Sequence, residues 1–147
     1  MIKNKVIIAG IIILLISLTF TVYFYDKKID HYDKGIATLD SSFKRNLKHL
    51  SKTIENYTFD DYSYALVMEF SSQAAILSGH TSYFDEYYPV ANYAWSLLTY
   101  SRSLILFNEG DIKENHIISE YVKKLSENPI DEEVINNLME VISGDPQ

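Results

Sequence analysis

No cysteine occurs in the 147 residues of this chain, and that absence removes several chemistries together. Disulfides, thiolate metal sites and a cysteine nucleophile are excluded, as is a lipoprotein anchor that needs a cysteine to carry its lipid. Five glycines and three prolines leave little punctuation, which favours a few long elements over many short strands. Strand-like alternation of apolar and polar residues is missing throughout. So are a glycine-rich phosphate loop, a Gly-x-Ser-x-Gly elbow and any zinc-binding spacing. The four histidines, His31, His49, His80 and His116, are scattered. Only His116 and Glu120 share a helical face at i, i+4, with no second pair to complete a metal site, and a solvated helix pair accounts for that spacing. The expectation is a protein with no catalytic residues, no metal and no cofactor.

Charge is also unevenly supplied. The net charge is −7, yet residues 1–59 carry nine Lys/Arg against five Asp/Glu. Residues 60–110 carry Arg102 alone against six acids, and residues 111–147 carry three bases against nine acids. A basic N-terminal part suits an anionic lipid surface, and an acidic remainder argues against a nucleic-acid partner.

What is present begins with an apolar run. Residues 1–5 form a short basic leader, and from Val6 to Tyr25 no residue is charged. Twenty residues rise about 30 Å as a helix, the thickness of the hydrocarbon core of a bilayer. Tyr23, Phe24, Tyr25, Lys27 and Lys28 then supply the aromatic and basic residues expected at a membrane interface. A cleaved signal peptide would have a shorter apolar region ending in a small-x-small site. Here the run closes on bulky aromatics, and Ser17-Leu18-Thr19 is a poor approach to a cleavage site. Residues 6–25 therefore read as an uncleaved signal anchor of a single-pass protein of the cell membrane. The lysine and arginine count on the two sides favours a cytoplasmic domain. A brief basic leader before a long apolar run is the usual form of an anchor that exports the domain C-terminal to it. On that ground the domain is expected outside the cytoplasm, at the cell surface.

Beyond the anchor, apolar residues recur at Ile29, Tyr32, Ile36, Leu39, Phe43, Leu47, Leu50, Ile54 and Tyr57. Steps of three and four with one stutter define a heptad seam, so residues 26–58 are expected to form a juxtamembrane, coiled-coil-like helix. Gly35 is a local weakness in it. Residues 59–144 then read as a small antiparallel helical bundle and 145–147 as a tail. Asp60 or Asp61 caps a helix closed by Gly79, with stripes Leu66, Phe70, Ala74, Leu77 and Ala65, Met68, Ser72, Ala75. Thr81 or Ser82 opens the next helix, with Tyr83-Phe84 as a preceding turn and Pro89 in the first turn. Along it Ala91, Ala94, Trp95, Leu98, Arg102 and Ile105 share one side, and Leu97, Tyr100, Leu104 and Phe107 another. A helix from about Ile112 to Ser126 is broken by Pro129, and Asp131 caps a last one ending at Gly144. The fold class is all-α. The spacing of Gly79, Gly110 and Gly144, with the Asn108–Asp111 turn, resembles the tetratricopeptide repeat, which implies stacked helix pairs. The Trp and Leu-Gly positions of that family are not met.

Aromatics are the unusual surplus, with twelve tyrosines in the chain. Tyr62, Tyr64, Tyr83, Phe84, Tyr87, Tyr88, Tyr93, Trp95 and Tyr100 crowd into the two helices between Asp60 and Gly110. Some pack the core, but two narrow stripes cannot hide them all. Tyr83, Phe84, Tyr87 and Tyr88, flanking Pro89 among Asp85 and Glu86, are the expected partner-binding residues. The functional expectation is an anchored accessory or regulatory subunit that binds a protein partner, itself a membrane protein where the assembly is in the bilayer. An extracytoplasmic sensor module is the alternative, weakened because the leader leaves no room for a cytoplasmic output domain. A structural coiled-coil homo-oligomer is a third.

Overall fold

A computed structural model describes the backbone of residues 2–58, 60–107 and 112–144, and the side chains of residues 10–58, 60–104 and 115–144. Among the described residues there are six helices and no strand: α1 (Ile2–Glu55), α2 (Asp61–Ser78), α3 (Ser82–Glu86), α4 (Pro89–Phe107), α5 (Ile112–Glu127) and α6 (Glu132–Ser143). The chain divides into two compact units, Met1–Gly35 and Ile36–Gln147.

The first unit is helix alone. It holds the one described helix with a stretch long and apolar enough to cross a membrane, of mean hydropathy 1.5 and with none of it buried within the chain. A helix apolar on every side and covered by nothing has no aqueous face. The hydroxyls of Ser17, Thr19 and Thr21 are satisfied within the helix. Ser17 donates to the Leu14 carbonyl, Thr19 to those of Leu15 and Ile16, and Thr21 to that of Ser17. That removes the polar groups a hydrocarbon environment would penalise.

The second unit is a helical bundle. Phe43, Leu47, Leu50 and Ile54 of α1 have no exposed surface and join Val67, Ala74, Val90, Tyr93, Leu97, Ile118, Leu125 and Leu138 in one core cluster. From Phe43 to Ile54 the heptad stripe is therefore buried inside its own chain, while Ile36, Leu39 and Tyr57 are half-buried. α1 ends at Glu55, a turn before the expected Thr58–Phe59; Phe59 lies outside the described residues.

Local chemistry accounts for the remaining boundaries. At the start of α2 the Asp60 carboxylate accepts the Ser63 N–H at 2.7 Å. That bond, with a second from the Thr58 hydroxyl, holds the carboxyl below its ordinary pKa. Asp131 does the same for α6 through the Val134 N–H at 3.2 Å, and Gly144 ends α6 at φ 66°, the left-handed conformation that favours glycine. The helix expected from Ser82 onward is in two pieces, because Pro89 offers no N–H and restricts the residue before it. Tyr87 is extended between α3 and α4. The Gly110 turn and the tail lie outside the described residues.

The inward faces of α2 and α4 combine members of the two stripes expected on each helix with residues expected on neither. On α2 the buried line is Ser63, Val67, Ser71, Ala74, Ala75 and Ser78, with Ala65 exposed. On α4 it is Val90, Tyr93, Ala94, Leu97, Leu98, Ser101 and Leu104, leaving Trp95 and Arg102 outside. Small residues along both lines allow the helices to approach closely, and this is the most extensive helix pairing described. Three of these buried serines donate within their own helix: Ser71 to the Met68 carbonyl at 3.3 Å, Ser78 to Ala75 at 2.7 Å and Ser101 to Leu97 at 2.7 Å.

Candidate functional site

The region named by sequence is α3 and the start of α4. What places α3 is a residue of α1. Thr81, its N-cap residue, makes no side-chain capping bond. The Asp40 carboxylate takes that role, accepting the Ser82 N–H at 2.8 Å and the Ser82 hydroxyl at 2.7 Å. An anion at a helix start satisfies a donor the helix cannot satisfy itself. Phe43, one turn on, meets Tyr83 at 6.4 Å between ring centroids, and the Lys44 ammonium lies 5.4 Å from that ring.

The four expected partner-binding residues thus divide. Tyr83 and Tyr87 are half-buried and pack against the core. Phe84 and Tyr88 pair at 5.3 Å, and Tyr88 is 63% exposed. Seven residues on, within α4, stands Trp95, 53% exposed. Asn92, Thr99 and Arg102 are also exposed, and their spacing with Trp95 puts these four on one face of α4, with Tyr88 exposed immediately before the helix. Asp85 and Glu86 stand exposed before it. Trp95 was within reach of sequence reasoning as a member of the aromatic surplus. Its i, i+3 and i+4 apolar neighbours assigned it to the inward stripe instead. On α2, Tyr62 and Ile76 are exposed as well.

Tyr93 is the opposite case. It has no exposed surface, its ring lies 6.4 Å from that of Phe43, and its hydroxyl is the one buried side-chain polar atom among the described residues without a hydrogen-bond partner. Burial pushes its pKa far up, with a smaller contribution from Tyr83. Tyr100 donates to Asn115 Oδ1 at 2.6 Å, joining α4 to α5.

Two grooves on this unit are polar. The larger, about 250 Å³, is lined by Lys48, Ser51, Lys52 and Glu55 of α1 and Lys123, Ser126 and Glu127 of α5. Among the described residues no group of three His, Asp or Glu is placed to hold a metal, and His116 and Glu120 are both exposed on α5. At the proposed membrane interface Tyr23, Phe24, Tyr25, Lys27 and Lys28 are all exposed. Phe24 meets Phe20 at 6.3 Å and Tyr23 at 5.9 Å, with the Lys27 ammonium 5.5 Å from the Tyr23 ring. Comparison with protein-family models, curated proteins and solved structures finds no match for the chain.

Proposed function

We propose that this is a signal-anchored, single-pass membrane protein whose helical bundle lies outside the cytoplasm and binds a protein partner, as a non-catalytic accessory or regulatory subunit of a membrane assembly. The observation that carries the reading is the pair of outward aromatics, Tyr88 immediately before α4 and Trp95 on it. A large indole and a phenol so exposed, with Phe84 against Tyr88 and acids at the edge, supply contact area at low entropic cost. On this reading the site comprises Phe84, Tyr88 and Trp95, with the half-buried Tyr83 and Tyr87 as their support.

The test uses the full chain extracted in mild detergent after cross-linking in its own membranes. Tyr88→Ala and Trp95→Ala should each weaken capture of the cross-linked partner by about 2 kcal/mol, roughly thirtyfold, without changing the melting temperature. Tyr87→Ala should lower the melting temperature, since that ring packs on the core. Unchanged capture by the Tyr88/Trp95 double variant would overturn the site. Protease added to intact spheroplasts should digest the bundle; full protection until lysis would reverse the orientation. A mature chain beginning near residue 20 would remove the anchor.

A further inference from the structure

Residues 22–33 of α1 carry an apolar stripe left exposed among the described residues. Val22, Tyr25, Ile29 and Tyr32 follow one another at steps of three, four and three, and all four are exposed, Ile29 by 44% and Tyr32 by 67%. In heptad terms Val22 and Ile29 hold a positions, and Tyr25 and Tyr32 hold d positions. Lys28 is then at g and Asp33 at e, the two positions that flank a seam and pair across it.

The charges of the segment are sorted accordingly. Asp30 and Lys34, at b and f, pair with each other at 2.7 Å on the far side of the helix. Lys27, at f, sits over the Tyr23 ring at b. Lys28 and Asp33 have no ion-pair partner among the described residues. In a parallel, in-register pair of helices, a g residue meets the e residue five positions further along the other helix. Lys28 of one copy and Asp33 of a second copy stand in that relation, and twofold symmetry makes the contact twice.

We propose that residues 22–33 form a parallel, two-stranded homodimer seam, with Val22, Tyr25, Ile29 and Tyr32 at its centre and Lys28–Asp33 pairs across it. The proposal rests on the anchor reading, since two copies entering the bilayer by the same end are held parallel and in register. It goes beyond partner binding by the bundle, because the occupant here is the chain itself.

The absence of cysteine makes the test clean. Single cysteines placed from Tyr25 to Lys34 in the full-length chain, in native membranes, are exposed to a mild oxidant. Tyr25→Cys, Ile29→Cys and Tyr32→Cys should give disulfide-linked dimers, and Lys27→Cys, Asp30→Cys and Lys34→Cys should not. In the Ile29→Cys background, Lys28→Asp or Asp33→Lys should each cut the dimer yield several-fold, and the two together should restore it. A flat profile, a profile peaking at Asp30 and Lys34, or no recovery in the double reversal would overturn the seam. Release of the chain from membranes by alkaline carbonate would instead mark failure of the anchor reading, and the parallel register would fall with it. Retention with a flat profile overturns the seam alone.

Discussion

Between Ile11 and Tyr25 every residue of α1 is exposed, whereas between Phe43 and Ile54 the same helix buries Phe43, Leu47, Leu50 and Ile54 completely. Backbone geometry does not distinguish the stretches; composition does. The first is apolar all round, so no rotation of the helix can hide it from water, and it is long and apolar enough to cross a membrane. The second is apolar along one stripe, with Arg45, Lys48 and Lys52 left to the solvent-facing side. A stripe is buried by neighbouring helices; a full cylinder is not.

The comparison is broken most forcefully by charge. Phe43→Asp or Leu47→Asp places a carboxylate where no partner waits, and each should cost about 4 kcal/mol or more. Thermal unfolding of the detergent-solubilised chain should show the bundle already open at room temperature. Ile29→Asp or Tyr32→Asp changes an exposed position and should leave that unfolding within about 0.5 kcal/mol of the parent. Equal losses at Phe43 and Ile29 would mean that the two stretches do not differ as described.

A smaller effect marks where the buried stretch begins. Asp40→Ala removes both acceptors of Ser82 and leaves the first turn of α3 without its cap. The expected loss is about 2 kcal/mol, with faster hydrogen exchange at the Ser82 amide. Asp40→Asn keeps one acceptor oxygen and should recover part of the loss.

That contact also measures how far sequence reasoning reached. The caps Asp60 and Asp131, the helix start at Pro89 and the stripe from Phe43 to Ile54 were legible because each is a local signal. Asp40 and Ser82 are 42 residues apart, and nothing local marks an aspartate on one helix as the cap of another. The inward lines of α2 and α4 were hidden for a different reason. Serine counts as polar in any periodicity, yet Ser71, Ser78 and Ser101 are buried because each donates to its own helix. With these three in neither expected stripe, the inward lines of α2 and α4 are not legible in full, and Trp95 falls on one side with Ala94 and Leu98 although it is exposed. The aromatic surplus was visible as a count, but which rings face out depended on those lines.

The buried side of the comparison holds one unpaired polar atom, the Tyr93 hydroxyl, and Tyr93→Phe removes it while keeping the ring against Phe43. The bundle should gain about 1 kcal/mol, since a desolvated group without a partner is lost and little volume with it. The pH dependence has a definite sign. Burial raises the folded-state pKa above the ordinary 10.0, so the neutral phenol is favoured by folding. The wild type keeps full stability below pH 10 and loses it as pH rises further, because only the unfolded chain releases that proton readily. Tyr93→Phe should flatten this alkaline limb. An unchanged limb together with a lower melting temperature would show that the hydroxyl has a partner.

The smallest effects come from two glycines, one at the junction of the two units and one at the end of the bundle. Gly35 is interior to α1, and a Cβ added there meets nothing within 4 Å. Alanine fits without strain and reduces the freedom of the unfolded chain, so Gly35→Ala should stabilise the helix locally by about 0.5–1 kcal/mol. Slower amide exchange around residues 33–38 would report it. A Cβ on Gly144 also meets nothing, but its φ of 66° is one that L side chains rarely adopt. Gly144→Ala should therefore cost about 1 kcal/mol, through backbone strain at the cap of α6 rather than through contact. Space is equal at the two sites and conformation is not, so opposite signs are expected. If both substitutions stabilise, the left-handed cap at Gly144 is absent in solution. If both destabilise, residue 35 is not interior to a regular helix, and the continuity of α1 across the two stretches fails with it.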